Sequence, residues 1–378
     1  MRTRHGSAEH PSNWIPALDG LRGLAILMVM LFHFGWLTAR NGLSQHIARS
    51  VFDFGWTGVD LFFVLSGFLI TGILLDTRDA ENYFSAFYVR RVLRIFPLYY
   101  FSLLLISLLF LPYLNPRVSA FPRAIWYLVY AQNWTLRGLP HLGHFWSLAV
   151  EEQFYLVWPL LVWRFDRRRV LQLAVGGAVV AVVLRVVLVV SRVEPTYIYH
   201  NIFTRMDALL IGSACACVVR DSSLRERLTR VSGWLWSLPL ITLPALRAVV
   251  TFVGNKNKVE QSFGYTLIAL SFAGLLLSLV LTIGKRSALQ TIFHGSILST
   301  LGKYSYAGYV WHQLVATLVL NFERRWLHTT LPWFVNMPLL LASTFLVCLC
   351  SYALIERPFL ALKKYFEPRR AFVAAGTV

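Results

Sequence analysis

Apolar runs long enough to cross a bilayer recur along the whole of this 378-residue chain, and no other feature constrains its fold as much. They lie near residues 17–37, 51–76, 95–114, 144–163, 170–190, 200–219, 231–253, 262–283, 297–319 and 335–357. About 20 apolar residues match the hydrocarbon thickness, and in lipid the backbone must satisfy its own hydrogen bonds, so each run reads as a helix. The expected fold class is all-α: a polytopic membrane bundle of about ten transmembrane helices. The expected organisation is an N-terminal tail over 1–16, a membrane domain over 17–358 and a basic tail over 359–378. The first run is too long for a signal-peptide core and contains Asp19 and Arg22, so it is expected to remain in the protein.

Composition supports this reading. Hydrophobic residues make up 57% of the chain and charged ones only 14%, against about 25% charged in soluble domains. Disorder and a secreted disulfide scaffold are excluded. The formal net charge of +18 would suggest nucleic acid in a soluble protein, but here its distribution carries topology instead. With the N-terminus inside, twenty basic residues fall in inner segments and ten in outer loops. The inner set includes Arg90, Arg91, Arg94, Lys363 and Lys364. By the positive-inside rule both termini are expected to be cytoplasmic, with the lipid bilayer as partner and no nucleic acid. Cys215, Cys217, Cys348 and Cys350 form two C-x-C pairs inside apolar runs; residues two apart on a helix face different ways, so no metal site is expected.

Ionisable residues inside membrane helices are costly, about 2.5–3.5 kcal/mol each at the centre, and mark functional sites. His33, Asp60, Glu151, Arg205, Asp207 and His312 come from five runs, and all fall roughly 6–13 Å beneath the outer surface at 1.5 Å per residue. Arg22 lies three turns below His33 on the same face, near the inner end. This common depth points to a polar cavity. The alternative for Asp60 and for Glu151 or Glu152 is an ion pair with Arg205 that only braces the bundle. Adjacent glutamates point about a quarter turn apart, so only one of them is expected to face the cavity. Arg185 and Arg247 read as snorkelling or interhelical residues, and His141 and His144 as interfacial ones. The connection 115–143 is rich in aromatic residues and Arg, and is expected to lie at the interface.

Five motifs in order resemble the acyltransferase 3 family of integral membrane acyltransferases. Ala17-Leu-Asp-Gly-Leu-Arg-Gly-Leu-Ala-Ile, with Arg22 and His33 eleven apart, resembles its opening signature. Gly58-Val-Asp-Leu-Phe-Phe-Val-Leu-Ser-Gly-Phe-Leu-Ile and Phe87-Tyr-Val-Arg-Arg-Val-Leu-Arg-Ile-Phe-Pro resemble the second and third. Trp146-Ser-Leu-Ala-Val-Glu-Glu-Gln-Phe-Tyr and Glu356-Arg357-Pro358 complete the series.

The resemblance implies a bacterial cell-membrane O-acyltransferase that moves an acyl group, usually acetyl, from cytoplasmic acyl-CoA to a hydroxyl. The acceptor implied is a carbohydrate or glycoconjugate, or a macrolide-type small molecule; a secondary transporter is the alternative of a different class. Acyl-CoA enters as co-substrate, with no permanently bound cofactor. Some relatives carry an added esterase-like domain, which this sequence is expected to lack. On this reading His33 is the general base or carries the acyl group, and Asp60, Glu151 or Glu152 orients it. Arg22, Arg90, Arg91 and Arg94 hold the donor, while Arg205, Asp207 and His312 face the transition state or acceptor.

Overall fold

The computed structural model describes residues 15–38, 52–114, 121–135, 138–252, 256–285, 287–329 and 331–369. Arg2, Arg4, Arg40, Arg49, Arg117, Arg137, Arg286 and Arg370 lie outside the described residues, as do the outer parts of both expected tails. The described residues are almost wholly helical. The principal helices are α1 (Pro16–Thr38), α2 (Gly58–Asp76), α3 (Tyr83–Leu105), α4 (Phe121–Leu128), α5 (Trp146–Arg164), α6 (Arg167–Val190) and α7 (Ile202–Val219). They continue as α8 (Ser222–Leu235), α9 (Leu238–Phe252), α10 (Tyr265–Leu281), α11 (Ser296–Lys303), α12 (Ser305–Phe322) and α13 (Trp333–Ser351). Side-chain caps start several of them: Asp166 accepts from the Arg169 amide, Asn201 from Phe203, and Asp221 from Ser223 and Leu224.

Among the described residues, seven helical stretches are long and apolar enough to cross a bilayer: Pro16–Thr38, Asp53–Asp76, Tyr83–Tyr113, Arg167–Val190, Pro195–Val219, Glu260–Leu281 and Trp333–Phe366. The three other expected runs are also helical but differ in kind. Helix α5 carries Glu151, Glu152 and Arg164, α9 has only 15 residues, and the run 297–319 breaks at Tyr304 between α11 and α12. The bundle is all-α and polytopic. Two boundaries move substantially. The last run continues to Phe366 rather than ending at 357, into the expected tail. The third run begins at Tyr83 rather than 95, so Arg90, Arg91 and Arg94 lie within α3 and not in a connection before it.

Among the described residues, glycine makes several helix crossings tight enough to bring backbones together. A Cβ on Gly67 would collide with the Leu209 carbonyl oxygen, and one on Gly212 with that of Val64, so α2 and α7 pack at backbone distance. Gly20, Gly23 and Gly302 serve the same purpose where α1 meets residues 293–302. Much of what the first two sequence signatures encode is therefore close packing. A buried polar chain ties α5, α2 and α7 together: Trp158 Nε1 donates to Thr71 Oγ1 (2.8 Å), and Thr71 donates to Ser213 Oγ (2.8 Å).

The described part of the connection 115–143 packs onto the bundle through several buried residues. Tyr127, Gln132, Asn133, Leu139 and Leu142 are buried. Tyr99 donates to the Tyr127 carbonyl (2.9 Å), the Leu139 amide to the Tyr127 hydroxyl (2.9 Å), and Gln132 Nε2 to the Phe145 carbonyl (2.7 Å). These bonds fix the chain just before α5.

Candidate active site

Three imidazoles meet where α1, α12 and the start of α5 converge. The His33 and His312 ring centroids are 4.9 Å apart, and those of His144 and His312 are 4.7 Å apart. His312 is fully buried and His144 is 5% exposed, whereas His33 is only partly buried, so His33 is the ring a substrate can reach. His144 is thus a core residue of the cluster rather than an interfacial one. Its carbonyl accepts from the Tyr309 hydroxyl (2.8 Å) and from Ser147 Oγ (3.2 Å), which pins it to α12.

The geometry specifies tautomers. His312 Nδ1 faces the carbonyls of Tyr309 (2.8 Å) and Gly308 (3.2 Å), which can only accept, so Nδ1 carries the hydrogen and Nε2 is an acceptor. His33 Nδ1 lies 2.9 Å from the Val29 carbonyl and 3.3 Å from His312 Nε2. With an acceptor on either side, it too carries its hydrogen. His33 Nε2 keeps a lone pair, the form a general base needs.

The carboxylates expected to orient His33 lie elsewhere. Asp60 Oδ1 accepts from Arg205 Nη2 at 2.8 Å in a fully buried pair, the bracing alternative weighed from the sequence. Glu152 faces Arg91 at 3.7 Å. Among the described residues no carboxylate hydrogen-bonds the His33 ring, because the turn of α1 and a second imidazole already occupy Nδ1. Glu151 and Glu152 both lie within electrostatic reach of Arg91, whose guanidinium also stacks 3.6 Å above the Tyr155 ring. The Tyr155 and Ser66 hydroxyls pair beside them.

Arg205 sits in an aromatic cage, 4.2 Å from the Tyr265 centroid, 4.9 Å from Tyr199 and 5.8 Å from Trp146. Its Nε and Nη1 have no hydrogen-bond partner among the described residues. Asp207, on the same helix, pairs with Arg185 at 2.9 Å and accepts from Thr266 at 2.5 Å. Arg185 is accordingly interhelical and wholly buried; Arg247 faces Asp53 at 3.6 Å. A cleft lined by Asp53, Trp56, Thr57, Arg247 and Glu260 opens beside the cage. Outside the membrane-spanning segments, burial holds His141 below its ordinary range, and it meets Thr317 Oγ1 at 3.2 Å.

Near the start of α1 Arg22 pairs with Asp19 at 2.8 Å, and Arg90, Arg91 and Arg94 follow one another along α3. The sequence alone singled out His33, His312 and Arg22, Arg90, Arg91 and Arg94. It missed His144 and Tyr309 as partners of His312, although Tyr309 and His312 are three apart on one helix and share a face.

A family model described as an acyltransferase domain matches residues 15–354, which include every residue of this site. The chain belongs to the acyltransferase 3 family. It is 29% identical to the peptidoglycan O-acetyltransferase OatA of Listeria monocytogenes, over 97% of this chain and 60% of that protein. It is 27% identical to the O-acetyltransferase OatA of Staphylococcus aureus, over 91% of this chain and 57% of that protein. The chain therefore spans about three fifths of the length of these curated relatives. No solved structure matches it. Seven bilayer-length helices among the described residues, together with bacterial relatives, make it a multi-pass bacterial membrane protein.

Proposed function

We propose that this protein is a membrane O-acetyltransferase that moves an acetyl group from cytoplasmic acetyl-CoA to a hydroxyl of an extracytoplasmic glycan. The observation that carries this reading is the His33 ring, reachable at Nε2 and locked at Nδ1 by Val29 and His312. The names of the relatives favour a glycan acceptor over a macrolide, and the family match favours group transfer over transport.

In the proposed reaction the CoA head stays at the inner arginines, and the pantetheine arm rises along the α1 face between Arg22 and His33. The acceptor enters from outside, by way of the cleft at Trp56. His33 Nε2 takes the hydroxyl proton as the oxygen attacks the thioester carbonyl, and the imidazolium is held through Nδ1 by two acceptors. The tetrahedral intermediate then collapses to the ester, and the CoA thiolate leaves with the proton returned by His33. Arg205, with two donors unspent, is the candidate cation for the developing oxyanion. In this reading Asp60, Asp207 and Arg185 hold the architecture.

The test is acetyl transfer from labelled acetyl-CoA by purified protein in detergent. His33→Ala is expected to lower it by about 10²–10⁴-fold, the usual size of general-base catalysis, with expression and thermal stability retained. Ordinary turnover in that variant overturns the mechanism.

A further inference from the structure

The helical stretch Trp333–Phe366 has 34 residues, roughly 50 Å at 1.5 Å per residue, well beyond a hydrocarbon core of about 30 Å. Its last part must therefore leave the lipid. A π turn at Tyr352–Glu356 and Pro358 at the start of the following helix redirect it there. The redirected residues 357–366 pack against α3, the helix that carries Arg90, Arg91 and Arg94. They are then strapped down. Asn82 Nδ2 donates to the Glu367 carbonyl (2.9 Å), the Arg369 amide donates to Asn82 Oδ1 (2.8 Å), and the Glu81 amide donates to the Arg369 carbonyl (3.1 Å).

The strap carries a half-buried cation, Lys363, into electrostatic reach of Arg94, Arg90, Arg91 and Arg22. Five cations thus converge, and four carboxylates answer them: Asp19 on Arg22, Glu151 and Glu152 on Arg91, and Glu356 near Arg94. Gathering like charges in a part-buried place costs free energy unless an anion joins them. A net positive, part-buried group on converging segments, with one cation held there by a dedicated three-bond strap and with Arg90 and Lys363 given no carboxylate among the described residues, fits a ligand that brings phosphate charge. A topology signal alone needs no such convergence.

We infer that the segment 357–369 is a structural wall of the donor site, and that Lys363 binds the nucleotide phosphates of CoA together with Arg22, Arg90, Arg91 and Arg94. The inference rests on the acyl-CoA reading above and adds a residue and an element to it. Anionic lipid headgroups share the phosphate chemistry, so the test must separate the two sources.

Purified full-length protein is reconstituted in nanodiscs of neutral lipid, and the affinities of CoA and of pantetheine, which lacks the nucleotide phosphates, are compared. CoA is expected to bind at least tenfold more tightly than pantetheine. Lys363→Ala is expected to weaken CoA about fivefold, the size of one screened ion pair, and to leave pantetheine unchanged. Lys363→Arg is expected to restore CoA binding. Asn82→Ala, which keeps every cation but loosens the strap, is expected to weaken CoA in the same selective way. Equal affinity for CoA and pantetheine in the wild type overturns the inference, as does an equal effect of Lys363→Ala on both probes. A Lys363 effect that appears only with anionic lipid assigns the site to headgroups and also overturns it. Acetyl transfer is measured in parallel: CoA bound through Lys363 without transfer breaks the functional reading and leaves this one standing.

Discussion

At the scale of single residues, a second imidazole stands where a carboxylate is more familiar. His312 spends Nδ1–H on the turn of its own helix and offers Nε2 to His33, so its role is to fix the tautomer of its neighbour. His312→Phe keeps a ring of similar size but removes the acceptor. We expect kcat to fall about tenfold to a hundredfold with the KM for acetyl-CoA unchanged; a merely structural loss would lower both stability and donor affinity. His33 was legible in the sequence because an ionisable group in an apolar run announces itself, and so were Asp60, Arg205 and Asp207. Which groups pair was not legible. Depth gives height in the bundle but no bearing around the helix axes, and Asp60 could face His33 or Arg205 with equal right until the α2–α7 crossing decided the matter.

At the scale of elements, the glycines of the motifs place the chemistry. Gly67→Val sets a branched side chain against the Leu209 backbone, which cannot yield as a side chain would. We expect a loss of about 3 kcal/mol or more, read as a lower denaturation temperature in detergent, and a lower activity because Asp60 and Arg205 straddle that crossing. The matched control is Gly176→Ala on α6, where an added Cβ meets nothing within 4 Å and the helix should gain slightly. The segment before α5 makes a different kind of statement. Burial depresses the His141 pKa in the folded segment, so the opened segment binds a proton more readily. Its contribution is present above pH 6.5 and fades as pH falls below it. Hydrogen exchange across 131–145, corrected for intrinsic chemistry, should therefore be faster at pH 5 than at pH 7.5, and His141→Asn should flatten the difference. The sequence hid this segment because its burial comes from backbone bonds to Tyr127 and Gln132, and such bonds have no hydrophobic period.

For the whole molecule, the proposed orientation puts both ends inside, with the donor mouth below and the acceptor cleft above. In a chain freed of its native cysteines, Lys364→Cys should be shielded from membrane-impermeant reagents in intact cells and Arg192→Cys should react; both positions are exposed in the fold. The reverse pattern would invert the proposed route of the acyl group. The recurrent apolar runs made the bundle legible at once, because lipid admits few alternatives. The finer architecture was less so: α11 and α12 read as one run, since the break at Tyr304 costs no hydropathy.

The two buried ion pairs on α7 also set a timetable for biogenesis. Arg185 leaves the ribosome only 22 residues ahead of Asp207, so α6 and α7 can enter the bilayer as a hairpin already neutralised within itself. Asp60 precedes Arg205 by 145 residues, and at about 5–20 residues per second it waits roughly 7–30 s for its partner. Through that interval α2 is apolar enough to insert but carries Asp60 without its ion-pair partner, and its neighbours or the insertion machinery must shelter the charge. The helix that carries the second family signature is thus committed to its final place late, when a segment made long after it arrives.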